Sequence, residues 1–140
     1  MRISKNKMYA QILRIVAQRS TCNKPNSALI IKDGRIISMG YNGSPKGQEH
    51  CLDHGCEQGP DGGCVRTIHA EQNAIAFAAK YGISTEGAVL WCTTSPCVPC
   101  AKLIINSGIV EVVYLDEYRI KDGIYLLKDS GIMVHQVLGV

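Results

Sequence analysis

His69-Ala70-Glu71 and, further along, Pro96-Cys97-Val98-Pro99-Cys100 are the residues of this chain best suited to chemistry. One histidine and two cysteines can hold a Zn²⁺ at three corners of a tetrahedron and leave the fourth open to water. That open position separates a catalytic zinc site from a structural one. Zinc so placed lowers the pKa of its water from about 15.7 to about 7, which makes hydroxide available at neutral pH. Glu71 follows the histidine by two residues, where a carboxylate can move protons at that water without binding the metal. Taken alone, a carboxylate there also reads as a helix N-terminal residue satisfying the dipole. A Cys-x-x-Cys pair by itself is shared with redox motifs and zinc ribbons. Combined with His-x-Glu it points to hydrolysis.

Positioning these groups falls to two helices. Residues 69–81 are expected to form one, ended at Gly82. Pro96 is expected to open the other, which runs through Ser107 and stops at Gly108. His69 and Cys97 then sit at helix starts, where exposed N–H dipoles favour thiolates. Cys97 and Cys100, three apart, share one helical face and can chelate one ion.

Around them, Met8, Ile12, Ile15 and Val16 recur at helical spacing and predict an amphipathic first helix over about 5–19, its stripe serving as core packing. Ala28–Lys32 and Arg35–Met39 are β-rich runs joined by Asp33-Gly34, a two-residue hairpin signal. Ala88–Thr93 and Val110–Leu115 read as strands, about 123–130 as a short helix, and Ile132–Leu138 as the last strand. Cys92 falls inside an apolar strand and reads as a small buried residue. The order α-β-β-α-β-α-β-α-β implies an α/β fold with a mixed sheet covered by helices. No repeat, low-complexity tract or linker divides the chain, so residues 1–140 are expected to form a single domain. The Cys- and His-rich stretch 41–67 has no steady hydrophobic period and is too long for an idle connection, which argues for a site or a metal clip.

Composition narrows the class. The chain has 140 residues, 46% of them hydrophobic, enough to bury a compact core. No apolar run approaches the roughly 18–20 residues of a membrane span. The basic start Met1-Arg2-Ile3-Ser4-Lys5-Asn6-Lys7 lacks the hydrophobic core of a secretory signal, so none is expected. Seven cysteines without an export signal point to reduced thiols serving metals and to a cytoplasmic location. The formal charge is +3, and six thiolates on two zinc ions would bring it to about +1. A dedicated nucleic-acid binder carries a basic stripe. A small-molecule substrate is expected instead, with neither nucleic acid nor membrane as partner.

The run Arg66-Thr67-Ile68-His69-Ala70-Glu71-Gln72-Asn73-Ala74-Ile75, with Ser95-Pro96-Cys97-Val98-Pro99-Cys100-Ala101, resembles the cytidine and deoxycytidylate deaminase superfamily, whose signature is H-x-E…P-C-x-x-C. Gly40-Tyr41-Asn42-Gly43-Ser44-Pro45 narrows the resemblance to dCMP deaminases of the phage and competence-operon type. It covers the chain from the first helix to about Tyr118. It implies a three-layer α/β/α cytidine-deaminase-like fold with a mixed five-stranded sheet. The activity it implies is hydrolytic deamination of dCMP to dUMP and ammonia, supplying dUMP for thymidylate synthesis. By the same match His69, Cys97 and Cys100 are zinc ligands, Glu71 is the proton shuttle, and Asn42 and Tyr118 contact substrate. Members often bind dCTP and dTTP with a divalent cation near the Gly40, Tyr41, Asn42, Gly43 turn, which implies Mg²⁺ accompanying an allosteric nucleotide. They are commonly hexamers. The apolar runs Ala74–Ala79 and Leu103–Ile105 fit such a homo-oligomer, since closed assembly covers surplus apolar surface.

His50-Cys51-Leu52-Asp53-His54-Gly55-Cys56 followed by Cys64 resembles the extended loop of the same enzymes. Some members bind a second, structural zinc there, together with a cysteine after the first helix that matches Cys22. Four thiolates would close a tetrahedral site without water. Reduced, unliganded cysteines are the other reading, and His50 and His54 are alternative ligands.

On the substrate side, Gly40–Gly47 offers backbone N–H groups to cradle a phosphate, or is a tight strand-to-loop turn. Asn73 shares the helical face of His69 and either binds substrate or caps a buried turn. Tyr118 can stack on a cytosine face. Arg19, Lys24, Lys46 and Arg66 are candidate phosphate partners, and His135 reads as a surface residue. Two rival functions remain. A tRNA adenosine deaminase shares both motifs but needs a more basic groove. An inactive zinc-stabilised binding module has no use for Glu71.

Overall fold

Period-two alternation of apolar side chains organises the centre of the protein. In the computed structural model, which describes residues 1–60 and 62–140, strands β1 (Ser27–Lys32), β2 (Arg35–Tyr41), β3 (Val89–Thr94), β4 (Glu111–Asp116) and β5 (Met133–Gln136) form one sheet. Its order is β2-β1-β3-β4-β5. β1 runs antiparallel to β2 and to β3, whereas β3, β4 and β5 are parallel. The sheet is therefore mixed, as expected. Ala28, Ile30, Leu90, Cys92, Val112 and Tyr114 point to one face, and Leu29, Ile31, Trp91, Val113 and Leu115 to the other. Both faces are covered, which is why these strands read as nearly continuous hydrophobic runs.

One face is covered by α1 (Lys5–Ala17) and the other by α3 (Ala70–Lys80), α4 (Val98–Asn106) and α5 (Asp122–Asp129), giving the α/β/α layering. Parallel neighbours need crossover connections, and α4 and α5 supply them between β3, β4 and β5. Cys92 is buried in β3, and His135 pairs with Glu111 at 3.0 Å on the surface, both as read from sequence.

At the β1–β2 hairpin Asp33 has φ 52° and Gly34 φ 73°, the two positive values a type I′ turn requires. A bulge between Ile30 and Ile31 shifts the register of that pair. Gly40 is the close-approach residue of β2. A Cβ there would lie 2.6 Å from the Ala70 carbonyl oxygen and 2.7 Å from the Ala74 nitrogen, so β2 lies flush against α3.

Three expectations need correction. In α1 the buried stripe is Tyr9, Ala10, Leu13 and Ala17, while Ile15 is 64% exposed and Met8, Ile12 and Val16 only flank the core. Pro96 does not open α4. The Ser95 N–H donates to the Asp116 carbonyl at 2.9 Å, so the chain stays extended beside β4, and Cys97 becomes the N-cap with Pro99 in the first turn. Within 41–67, read as irregular, Cys51–His54 forms a short helix, α2. Its Leu52 N–H donates to the Thr21 carbonyl at 3.1 Å, which ties the loop to the end of α1.

Candidate active site

The two catalytic-type motifs meet because each ends at a helix N-terminus on the same side of the sheet. His69 caps α3, and its backbone N–H donates to Gln72 Oε1 at 2.8 Å. That capping glutamine, three residues past the cap, is a signal present in the sequence but not used above. Cys97 caps α4, and Cys100 lies in the first turn. His69 Nδ1 stands 3.3 Å from both Cys97 Sγ and Cys100 Sγ.

The three ligand atoms lie within 4.8 Å of one another. Cys100 donates a hydrogen bond that lowers the pKa of the Cys97 thiol, helped by His69 and opposed by burial. Two sulfurs and an imidazole thus converge at one point, with the balance of charge favouring a thiolate at Cys97. A divalent cation satisfies that electron-rich set better than one proton does, and two sulfurs with one nitrogen suit zinc.

Glu71, 7% exposed, occupies the first turn of α3. Desolvation pushes its carboxyl up to about 7, with the negative charge of Cys97 adding to the shift and His69 opposing it. A carboxyl poised near neutrality can both take and return a proton.

His69, Glu71 and Cys97 open onto a cavity of about 560 Å³. A separate depression of about 400 Å³, beside Arg14, Asp116 and the C-terminal residues, lies away from this cluster. Wall residues of the larger cavity include Asn23, Lys24, Asn26, Thr67, Thr94 and Ser95. Of these the sequence had singled out only Lys24. Their polarity carries no spacing pattern, and what brings them together is the β1–β3 pairing.

Tyr118 also lines the cavity, held by its backbone N–H donating to Ser95 Oγ at 2.7 Å, with the Arg119 guanidinium 5.5 Å from its ring centre. Asn42 is on the wall too, but its amide is engaged at both ends. Oδ1 accepts from Ser20 Oγ at 2.6 Å and from the Asn26 N–H at 2.9 Å, and Nδ2 donates to the Lys24 carbonyl at 2.9 Å. Its side chain is a brace for the 20–26 loop, not a free hydrogen-bonding group.

Asn73 is not on the cavity wall. Its Nδ2 donates to the Tyr41 carbonyl at 2.8 Å, fastening the end of β2 to α3. The Gly40–Gly43 turn is no open phosphate cradle either. The Asn42 and Gly43 N–H groups donate to the Asn26 and Ile68 carbonyls at 3.2 Å each, and Gly40 is hemmed in by α3. The tight-turn reading holds for this stretch.

Cys51, Cys56 and Cys64 form a second ligand cluster, with Cys51 Sγ 3.7 Å from Cys64 Sγ. Burial raises the Cys51 thiol to about 12. At Cys64 burial is outweighed by hydrogen bonds from the backbone near Thr67, Arg66 and Glu57, which bring that thiol down to about 6. Among the described residues Cys22 does not join the cluster, although it lines the same cavity as Cys56 and Cys64. His54 is taken by Glu49 at 2.6 Å, and His50 only caps α2. Arg66 is tied to Glu57 at 2.7 Å, which removes it from the candidate phosphate partners.

Residues 3–116 match the family model of the cytidine and deoxycytidylate deaminase zinc-binding region. The chain belongs to this family. It is 42% identical to ComE operon protein 2 of Bacillus subtilis, over 97% of this chain and 72% of that protein. Against the deoxycytidylate deaminase of Enterobacteria phage T4 it is 38% identical, over 91% of this chain and 86% of the phage protein. The crystal structure of the dCMP deaminase of cyanophage S-TIM5, in complex with dCMP and dUMP, superposes with a TM-score of 0.84 at 35% identity, covering 98% of this chain and 99% of that one. Zinc is thus the metal that the family and the donor set share.

The brace at Asn42 generates a prediction. Asn42→Ala strands the Asn26 N–H, while the Ser20 hydroxyl keeps the main-chain carbonyl of residue 42 at 2.8 Å, and should destabilise the fold by about 1–3 kcal/mol, the range for an unsatisfied buried polar group. Urea unfolding measures this. A variant as stable as wild type that loses only substrate affinity would return Asn42 to the role of direct substrate contact.

Proposed function

We propose that the protein hydrolyses dCMP to dUMP and ammonia, supplying dUMP for thymidylate synthesis. The observation that carries the reading is the buried Glu71 beside the His69, Cys97 and Cys100 ligand set on the wall of a cavity of about 560 Å³. Likeness to the T4 and S-TIM5 enzymes supports the choice of substrate. His69, Cys97 and Cys100 would hold the catalytic zinc, which when bound would make a water nucleophilic near neutral pH.

Water adds at C4 of the cytosine ring. Glu71 takes the water's proton and delivers it to N3; it then takes the proton of the hydroxyl now on C4 and passes it to the amine, which leaves as ammonia as the C4 carbonyl forms. Its burial keeps bulk water from competing for that proton and favours the protonated carboxyl, so that it holds the proton between the two transfers. Tyr118 flanks the ring, and Asn42 acts through the loop it braces.

Cys51, Cys56 and Cys64 hold a structural zinc, with Cys22 as the proposed fourth ligand. Support comes from the convergence of the three thiols in a loop with few buried apolar residues. The chain works as one domain in the cytoplasm, where thiols stay reduced. The exposed Phe77 of α3, Tyr81 at its C-cap and Leu103 of α4 support a homo-oligomer, proposed as a hexamer. In it dCTP with Mg²⁺ activates and dTTP opposes, through unequal affinity for two states of the assembly.

A tRNA adenosine deaminase finds little support: among the described residues, Lys24 is the one Lys or Arg on the cavity wall. An inactive binding module leaves a buried, raised carboxyl without a purpose.

Glu71→Gln keeps the side-chain size and removes the proton transfer, so zinc content should persist while turnover of dCMP falls by roughly 10²–10⁴-fold. Near-normal turnover in that variant would end the assignment of Glu71.

Elemental analysis of purified protein should find about two zinc ions per chain, one for an open site and one for a closed site. Cys51→Ser should reduce that to about one and lower the unfolding midpoint. A single zinc in wild type would remove the structural site.

Light scattering at micromolar concentration should report an assembly, and dCTP with Mg²⁺ should raise dCMP turnover. A monomer would refute the assembly, and kinetics indifferent to both triphosphates would refute the regulation alone.

A further inference from the structure

One close approach at the ligand set comes from an element that supplies no ligand. Gly123 is buried in the first turn of α5. A Cβ there would overlap the Pro96 carbonyl oxygen, and would lie 2.9 Å from the Cys97 carbonyl carbon and 3.0 Å from its oxygen. All three atoms belong to the backbone, so none can swing aside as the tip of a side chain would. Glycine weakens a helix relative to alanine. Here its missing side chain is what lets α5 lie against the stretch of chain that carries Cys97. Residue 123 also falls past residue 116, where the match to the family model ends, so the motif spacing that marks the ligands does not reach it.

Both sides of the contact are fixed. On α5, Ile124 and Leu127 are 4% and 0% exposed and share a core cluster with Ala101 and Ile104 of α4. The helix cannot back away without uncovering them. On the other side, the Ser95 N–H donates to the Asp116 carbonyl at 2.9 Å, and Ser95 Oγ accepts from the Tyr118 N–H at 2.7 Å. The approach to Pro96 is therefore pinned. The Cys97 carbonyl accepts from the Ala101 N–H at 2.9 Å in the first turn of α4. Displacing the 96–97 peptide thus disturbs the helix start and carries along the Cys97 sulfur, which stands 3.3 Å from His69 Nδ1.

We propose that Gly123 is a positioning residue for the metal site: its bare α-carbon makes α5 a backstop that fixes the 96–97 peptide and, with it, the direction of the Cys97 sulfur. The role rests on the zinc-site reading above. Relieving the overlap that a methyl group would create takes a backbone shift on the order of 1 Å, beyond the roughly 0.5 Å within which a working constellation is held. His69 and Cys100 would keep their places while Cys97 left its own.

The test compares wild type, Gly123→Ala and Leu127→Ala. Zinc-loaded protein is titrated with a chelator while iodoacetamide, read by mass spectrometry, reports which cysteines have lost their metal. Cys97 of Gly123→Ala should become reactive at a free zinc concentration roughly 10–100-fold higher than in wild type, the range for groups that orient a ligand without binding the metal. Cys56 and Cys64 should respond as in wild type, and dCMP turnover should follow the occupancy at Cys97. Leu127→Ala opens a cavity in the core beneath the same helix and lowers the unfolding midpoint, but should leave the Cys97 response unchanged. An unshifted response in Gly123→Ala would overturn the assignment. So would an equal shift in Leu127→Ala, because general loosening would then suffice.

The metal readout is independent of the reaction. A Gly123→Ala shift at Cys97 in a protein that does not turn over dCMP would sustain the positioning role and end only the deaminase reading. If Gly123→Ala does not fold, Cys97→Ser carries the test, since it frees the 96–97 peptide from the metal side. Amide exchange at Tyr125, Leu126 and Leu127 should then be faster than in zinc-loaded wild type, while α1, on the other face of the sheet, keeps its protection. Equal protection of α5 in the two proteins would overturn the proposal.

Discussion

Glu71 is a carboxyl kept almost out of water among two thiols and an imidazole, and most of the architecture serves to make that arrangement tolerable. An unpaired charge buried in a protein is expensive by several kcal/mol. Here the carboxyl sits in the first turn of α3, where free N–H groups oppose its charge. His69 offsets it. The same cluster binds a cation for the same reason that it is costly without one. The parallel pairing of β3 with β4 requires a crossover, so the chain turns back through α4 just past the carboxyl end of β3, which is where Cys97 and Cys100 lie.

A second constraint comes from the asparagines. Ser20, Asn26, Asn42, Thr93 and Thr94 form one connected set of hydrogen bonds that joins the end of α1, the start of β1, and the far ends of β2 and β3. Such networks rigidify when every member is satisfied and become liabilities when one is missing. Asn26, Asn42 and Thr94 of this network line the cavity, so the bonds fix the shape of that part of its wall. The Cys-rich loop contributes Cys56, Gln58, Cys64 and Val65 to the same cavity. Order in that loop and shape of the substrate pocket are therefore linked: a ligand cluster that holds Cys51, Cys56 and Cys64 together also sets part of the wall.

Much of this was legible in the residues themselves. Local signals determined the Asp33-Gly34 hairpin, the strands, the helix starting at His69 and the three metal-type ligands, because turn chemistry, alternation and motif spacing act over a few residues. They also pointed to Glu71, since its role follows from its offset to His69. The start of α4 was misread by two residues: proline is acceptable at either place, and only the Ser95 bond to β4 keeps Pro96 extended. Ile15 was misassigned because Met8, Ile12, Ile15 and Val16 have helical spacing on either of two overlapping faces. Which face meets the sheet depends on Tyr9 reaching Trp91, with ring centres 5.3 Å apart.

Tertiary structure alone decided what the polar residues do. Asn42 and Asn73 have the same donors and acceptors in any sequence context, and their partners lie 16 to 32 residues away along the chain. Whether an amide meets substrate or braces a loop is settled by which strand ends arrive beside it. The same holds for Cys22, which the family resemblance groups with Cys51, Cys56 and Cys64 and which lies beside the same cavity as Cys56 and Cys64 but farther from the three than they lie from one another. Sequence determines chemistry that is carried within one turn of helix or strand. Chemistry assembled from separate strand ends exists only once the sheet has set their register.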